Sequence, residues 1–271
     1  MAPKSKAITK ANGTALAKAQ PLEDWEIELQ HKAQDAAAAE TVGIPRITHK
    51  SGILKIDDKA VDGNKLPHAI LCYGLAKTYF RDGYDPKASK GDTPVCYSFA
   101  KPLPGEEAKM VPHAAAPDKQ NTDCATCPHN AFGTAEKGDG KRCRDIRRVL
   151  VIAPGSNDPE DVLKAQVRQY EVPPGSLRNW GTYLKSLKEI HPTGAPQFVI
   201  TTLGTQPNED AGAYTLTFTP TEVLEKPFVK ALIEKGKAVE SDLYAPFPAT
   251  TKKEESKPDP KKNAKRSKKV G

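Results

Sequence analysis

Short alternations of apolar and polar residues run through most of this chain, and in a few places the spacing lengthens to that of a helix. Leu22, Trp25 and Leu29 recur at helical spacing, with Glu23, Asp24 and Glu26 where a first helical turn favours acids, so a short helix is expected there. Pro45 to Val61 reads as two short strands, with Lys50-Ser51-Gly52 as the turn and Ile53, Leu54 and Ile56 in the second strand. Ala69 to Phe80 reads as a long strand with Leu71, Tyr73, Leu75 and Tyr79 on one face, and Gly74 suits a bulge or sharp bend. Arg148 to Ala153 holds the β-branched run Val-Leu-Val-Ile. Leu163, Ala165 and Val167 alternate with Lys164, Gln166 and Arg168, the period of a half-buried strand. Pro173-Pro174-Gly175 then stops the chain, with Ser176 as a helix cap. Leu177, Trp180, Leu184, Leu187 and Ile190 share one helical face, which predicts a helix over Leu177–Ile190. Strands follow at Phe198–Leu203 and Tyr214–Phe218, and then a helix over Thr221–Lys237 that Pro227 interrupts.

Three strands, a helix and two strands is the chain order of a five-stranded oligonucleotide/oligosaccharide-binding (OB) barrel. The expected fold is therefore mainly β with a few helices: an OB-like barrel over 21–240, a flexible basic arm at 1–20 and a disordered basic tail at 241–271. Composition agrees with short elements and many turns, since the chain is 37% apolar and carries 24 Pro and 19 Gly. No stretch approaches the roughly 18 consecutive apolar residues of a membrane span. The start, Met-Ala-Pro-Lys-Ser-Lys, has no apolar core of a secretion signal, so a cytoplasmic protein with reduced cysteines is expected.

Charge changes the picture through its distribution. The net charge is +7, but residues 251–271 contribute +6 and residues 1–20 contribute +4, leaving −3 for the rest. The fold itself is not basic; its two tails are.

Candidate chemistry is concentrated in an excursion of about 70 residues between the first two barrel strands, which holds four of the five Cys. Cys124-Ala-Thr-Cys127 lets two thiolates in one tight turn reach a single ion, and Cys143 follows behind the turn Gly138-Asp139-Gly140. Cys96 lies upstream; it competes with His113 and His129 for a fourth position, and thiolate preference favours Cys96. A structural Zn2+ on Cys96, Cys124, Cys127 and Cys143 would order a zinc-ribbon-like insertion at about 94–147, whose own apolar content is too small for a core. The alternative is buried or redox-paired thiols; Cys72, between apolar neighbours in a strand, reads as core. No His-x-Glu precedes the C-x2-C pair and no His-Glu-x-x-His occurs, which argues against a catalytic metal.

From Lys137 to Arg148 the chain carries six basic and two acidic residues, a local +4. Lys137, Lys141, Arg142, Arg144, Arg147 and Arg148 are candidate phosphate contacts, with Tyr73, Tyr79, Phe80, Tyr84 and Tyr97 as candidate stacking platforms for bases. Trp25 and Trp180 fall on apolar helical faces and read as packing.

The succession Pro94-Val-Cys96, Cys124-Ala-Thr-Cys127-Pro-His-Asn, Gly138-Asp-Gly-Lys-Arg-Cys143-Arg and Arg147-Arg-Val-Leu-Val-Ile resembles a family of phage single-stranded DNA-binding proteins. The likeness continues through Val172-Pro-Pro-Gly-Ser176-Leu, Trp180, Tyr183 and Tyr214-Thr-Leu-Thr-Phe218, covering roughly residues 44–220. It implies an OB-like barrel with a zinc-binding insertion and a non-enzymatic role in DNA replication or recombination, in the host cytoplasm if the protein is viral. Single-stranded DNA is then the expected partner, with RNA left open, alongside replication or recombination proteins. A departure is the Lys-rich end, Lys-Lys-Asn-Ala-Lys-Arg-Ser-Lys-Lys, where many single-strand binders carry an acidic tip. The rival expectations are a zinc-ribbon adaptor in a viral replication or transcription complex and, least favoured, a metal-dependent nuclease, for which no clustered carboxylate motif stands out.

Overall fold

The computed structural model describes residues 44–83, 93–136, 138–155, 158–208 and 213–247. The expected basic arm, the helix around Leu22–Leu29, Tyr84, Lys137 and the tail from residue 248 lie outside the described residues.

The fold is mainly β, with three α-helices among the described residues. Strands β1 (Ile47–Lys50) and β2 (Ile53–Ile56) form the expected hairpin. Ser51 and Gly52 both have positive φ, 51° and 78°, the turn geometry whose twist matches the two strands. Glycine is required at 52, because a Cβ there would overlap the Tyr214 ring. A two-residue strand, β3 (Lys59–Ala60), completes a small three-stranded sheet.

The main sheet is organised by β4 (Leu66–Tyr79), 14 residues long. One edge pairs along Ala69–Thr78 with β6 (Arg144–Ile152); the other is shared between β8 (Val199–Asn208) at Leu66–Ala69 and β5 (Cys96–Ala100) at Leu75–Tyr79. Adding β7 (Val167–Val172) beside β6 and β9 (Ala213–Val223) beside β8 gives six antiparallel strands, five along the path β7-β6-β4-β8-β9 and β5 off it beside β4. Among the described residues β7 and β9 do not pair with each other. The small sheet meets β7 through β1 and β8 through β2. Gln169 N–H donates to the Pro45 carbonyl at 2.9 Å, and Asn64 Nδ2 and Thr205 Oγ1 both donate to the Gly52 carbonyl.

Both faces of the sheet are covered. On one, Ile70, Val149, Val151, Tyr170 and Leu203 pack with Ile47 and Leu54 and with Trp180, Tyr183 and Leu187 of α2 (Leu177–Ile190). On the other, Ala69, Leu71, Leu150 and Ile152 meet Val162 of α1 (Pro159–Lys164) and Phe228, Val229 and Leu232 of α3 (Lys226–Val239). Double coverage explains why Val149–Ile152 is an unbroken apolar run rather than an alternation.

Several expectations are corrected. The irregularity in β4 falls between Ile70 and Cys72, not at Gly74. One extra residue reverses the side-chain parity, so Leu71 faces α3 while Tyr73 faces Trp180, and they do not share a face. Gly236 of α3 sits against this bulge, and a Cβ there would stand 2.9 Å from the Leu71 carbonyl. Leu163 lies in α1, not in a strand. Asp158 accepts from Glu160 N–H at 2.9 Å and Pro159 occupies the first turn, two strong start signals that outweigh the alternation. Pro227 likewise opens α3 instead of interrupting it, and β9 runs on to Val223. Helix α2 has the expected bounds, but Ser176 does not cap it: its hydroxyl accepts from Leu216 N–H at 2.9 Å and ties the helix start to β9. Residues 241–247, expected within the disordered tail, are packed; Leu243 is buried and Phe247 lies on Arg148. Among the described residues no helix is long and apolar enough to cross a membrane.

Candidate metal centre and nucleic-acid interface

The cysteine-bearing segment leaves the sheet at the end of β5 and returns at β6. Its chain is mostly turns held by specific hydrogen bonds. Cys124 N–H donates to Met110 O at 3.0 Å, Cys143 N–H to His129 O at 2.7 Å, and Asn130 N–H to Cys127 O at 2.9 Å. The Asn130 side chain adds a bond to Cys124 O at 2.8 Å, and Asp123 Oδ1 accepts from Ala125 N–H at 2.5 Å to form the knuckle turn. Cys96 begins β5, opposite Tyr79.

Cys96, Cys124, Cys127 and Cys143 thereby line one cavity of about 10 Å3, together with Tyr79, Asp123 and His129. All four are free thiols. Of the two histidines that compete on sequence, His129 lines the cavity with its ring stacked on Tyr79 at 4.4 Å, while His113 lies away from it, stacked on Tyr97 at 5.3 Å. As placed, no three Cys, His, Asp or Glu groups among the described residues stand close enough to hold a metal ion. What the fold provides is convergence: four soft donors from three separate stretches of chain on a space of single-ion size. Burial pushes the Cys143 thiol up to about 12 and also raises Cys96 and Cys124. An ion entering the cavity would therefore have to displace thiol protons.

Beneath the cavity lies a buried cation that sequence reasoning missed. Lys77, only 3% exposed, ion-pairs with Asp145 and with Glu107 at 2.9 Å. Burial works against its charge, but the two carboxylates outweigh that and its pKa rises above the ordinary lysine value. A single Lys in an alternating strand carries no sign of this role. The partners, Asp145 opposite it in the β4–β6 register and Glu107 in the insertion, become visible only in the fold.

The period-2 rule divides the basic run of β6 between two faces. Arg144, Ile146 and Arg148 point to one side, and Asp145 and Arg147 to the other, with Lys77 and Leu75 respectively opposite them. On the Arg144 side lies a cleft of about 160 Å3 between β1, the end of β4, β6 and β7. Arg46, His49, Phe80, Arg144, Gln169, Glu171 and Phe247 are among its walls. Two of the sequence candidates, Arg144 and Phe80, are thus brought together.

The remaining candidates lie elsewhere. Arg148 is 2% exposed and cannot be a surface phosphate contact; its Nη1 donates to Leu243 O at 3.0 Å and Ala245 O at 2.7 Å, and its guanidinium sits 4.4 Å from the Phe99 ring and 4.2 Å from Phe247. Tyr73, Tyr79 and Tyr97 are not open platforms. Tyr73 packs edge-on to Trp180 at 5.3 Å, Tyr79 is buried under His129, and Tyr97 is buried among Phe99, His113 and Phe247. Arg147 shares the face of Tyr73, and Lys141 pairs with Asp145 at 2.9 Å. Arg142 pairs with Glu136 at 3.0 Å and donates to Arg81 O at 2.7 Å. Sequence reasoning missed Arg46, His49, Gln169 and Phe247, and also Phe132, an aromatic 79% exposed on the insertion with Lys141 Nζ 4.8 Å from its ring. Phe132 had a readable signal, as a lone aromatic in the polar stretch Asn130-Ala131-Phe132-Gly133.

Comparison with family models, with curated proteins and with solved structures gives no match for this chain.

Proposed function

We propose that this protein binds single-stranded DNA without transforming it, in the service of replication or recombination, and that Cys96, Cys124, Cys127 and Cys143 hold a structural Zn2+. The observation that carries the reading is the cleft: two arginines from distant parts of the chain, Arg46 and Arg144, beside Phe80, His49 and Phe247. Cations beside flat rings are what a phosphate backbone with splayed bases requires. The strand order β7-β6-β4-β8-β9, with α2 between β7 and β8, supports an OB-like arrangement. In that arrangement the β6–β7 face and the loop after the first strand form the binding side, which is where the cleft and the cysteine insertion lie. Four thiolates would close a tetrahedral ion with no open position for water, which suits a structural role. A single carboxylate, Glu171, lines the cleft, which gives hydrolytic metals little to hold.

The test is oligo-dT binding by the full chain across a salt series, compared with the double variant Arg46→Glu, Arg144→Glu. The variant should bind roughly 10- to 100-fold more weakly. Its plot of log affinity against log salt should flatten by about 1.4, the share of two phosphate contacts on a single strand. Unchanged affinity and slope in a variant of unchanged melting temperature would remove the cleft from the interface.

A further inference from the structure

The floor of the cleft holds polar atoms that the fold does not use. Among the described residues, Gln169 Nε2 and Glu171 Oε1 are buried with no hydrogen-bond partner, and Gln169 is only 5% exposed. The two residues alternate on β7, so both side chains point to the same face. Glu171 Oε1 stands 3.6 Å from Arg46 and 3.7 Å from Arg148, distances too long for direct hydrogen bonds. Arg148 donates to backbone carbonyls through Nη1 alone; its Nε and Nη2 are also buried without a hydrogen bond, and Nε faces Glu171 Oε1 as a counter-charge without bonding it. Glu171 thus balances the charge of two arginines, yet the hydrogen-bonding capacity of its Oε1 is unmet. This carboxylate is paired with an unused amide donor from the next position on the same face.

Resting on the single-strand reading, we propose that this floor takes the edge of one nucleobase and favours cytosine over uracil or thymine. Glu171 accepts from the cytosine N4 amine, and Gln169 donates to the acceptors beside it, N3 or O2. Uracil and thymine present a single N3–H flanked by two carbonyl oxygens, which the carboxylate repels. Phe80, His49 and Phe247 supply flat walls for the ring.

The experiment compares oligo-dC with oligo-dU of equal length on the full chain, at mildly alkaline pH where oligo-dC does not pair with itself. These strands differ only at the base edge. The expected result is roughly 5- to 10-fold tighter binding of oligo-dC, the lower range for a hydrogen-bonded base contact. Glu171→Gln should bring the two affinities within twofold. Gln169→Leu, which removes the donor and leaves the charge, should lower oligo-dC binding selectively, and melting curves establish that both variants are folded. A wild-type ratio within twofold, or a preference that survives in both folded variants, overturns the proposal. Equal and tight binding of both strands removes only the cytosine preference; failure of both strands to bind removes the single-strand reading and this inference with it.

Discussion

Removing metal with a strong chelator, or replacing Cys124 and Cys127 together by Ser, is expected to unfold the chain between β5 and β6 while the rest of the sheet survives. The reason is the scarcity of apolar burial in that segment. Between residues 101 and 142 the buried hydrophobic residues are Met110, Ala116 and Cys124, far fewer than the two cores that cover the main sheet. Backbone hydrogen bonds such as Cys143 N–H to His129 O set the turns but do not offset the entropy of ordering some forty residues. A structural Zn2+ contributes on the order of 10 kcal/mol in small zinc-dependent units, enough to decide the matter. The measurement is limited proteolysis with metal analysis. The untreated protein should carry about one Zn2+ per chain and resist cleavage in 101–142, and the chelated protein should be cut there first. Equal protection with and without metal would show that the four thiols are packing groups.

The second large effect is expected at Lys77. Lys77→Met should destabilise the protein by about 3 kcal/mol, because removing one partner of a buried ion pair strands the other. Asp145 would keep Lys141 at 2.9 Å, which limits the loss. Asp145 is held below the ordinary carboxylate range: burial raises it, but the hydrogen bonds and charges of Lys77 and Lys141 prevail. Adding Asp145→Asn to Lys77→Met should therefore recover part of the stability, as read by urea unfolding, and strictly additive losses would deny the coupling. Lys77 also faces the thiols, where its positive charge works against the burial that raises Cys124 and Cys143. Lys77→Met should accordingly weaken zinc retention in competition with a chelator.

Local signals in the sequence found most of the elements and most of the face that α2 buries, because those depend on residues a few positions apart, though Ile190 is exposed and buried Tyr183 was not included. The run Leu163–Arg168 misleads: its alternation is real, but Asp158 and Pro159 start a helix over its first residues. The Leu71 bulge escapes notice because one inserted residue changes parity without changing composition. At the site, the C-x2-C pair and Cys143 are local features, and their convergence with Cys96 follows from the antiparallel return of β5 and β6 beside β4. That Tyr73, Tyr79 and Tyr97 are packed rather than open is not legible in the sequence for a simple reason: a Tyr on a strand looks the same whether its face meets water, as a platform would, or a helix, as Tyr73 does. Arg148 was misjudged because its cover, Phe99 and Phe247, comes from positions about 50 and 100 residues away. The cleft joins Arg46, Phe80, Arg144 and Phe247, a set no local pattern could assemble.

The most direct test of the central claim is to locate the bound strand on the full metal-loaded chain by photo-cross-linking a substituted oligonucleotide and identifying the attached peptides. The cleft account predicts attachment at Phe80, His49 or Phe247, reduced in the Arg46→Glu, Arg144→Glu variant. Attachment confined to residues 1–20 and 251–271, where most of the net positive charge resides, would contradict it.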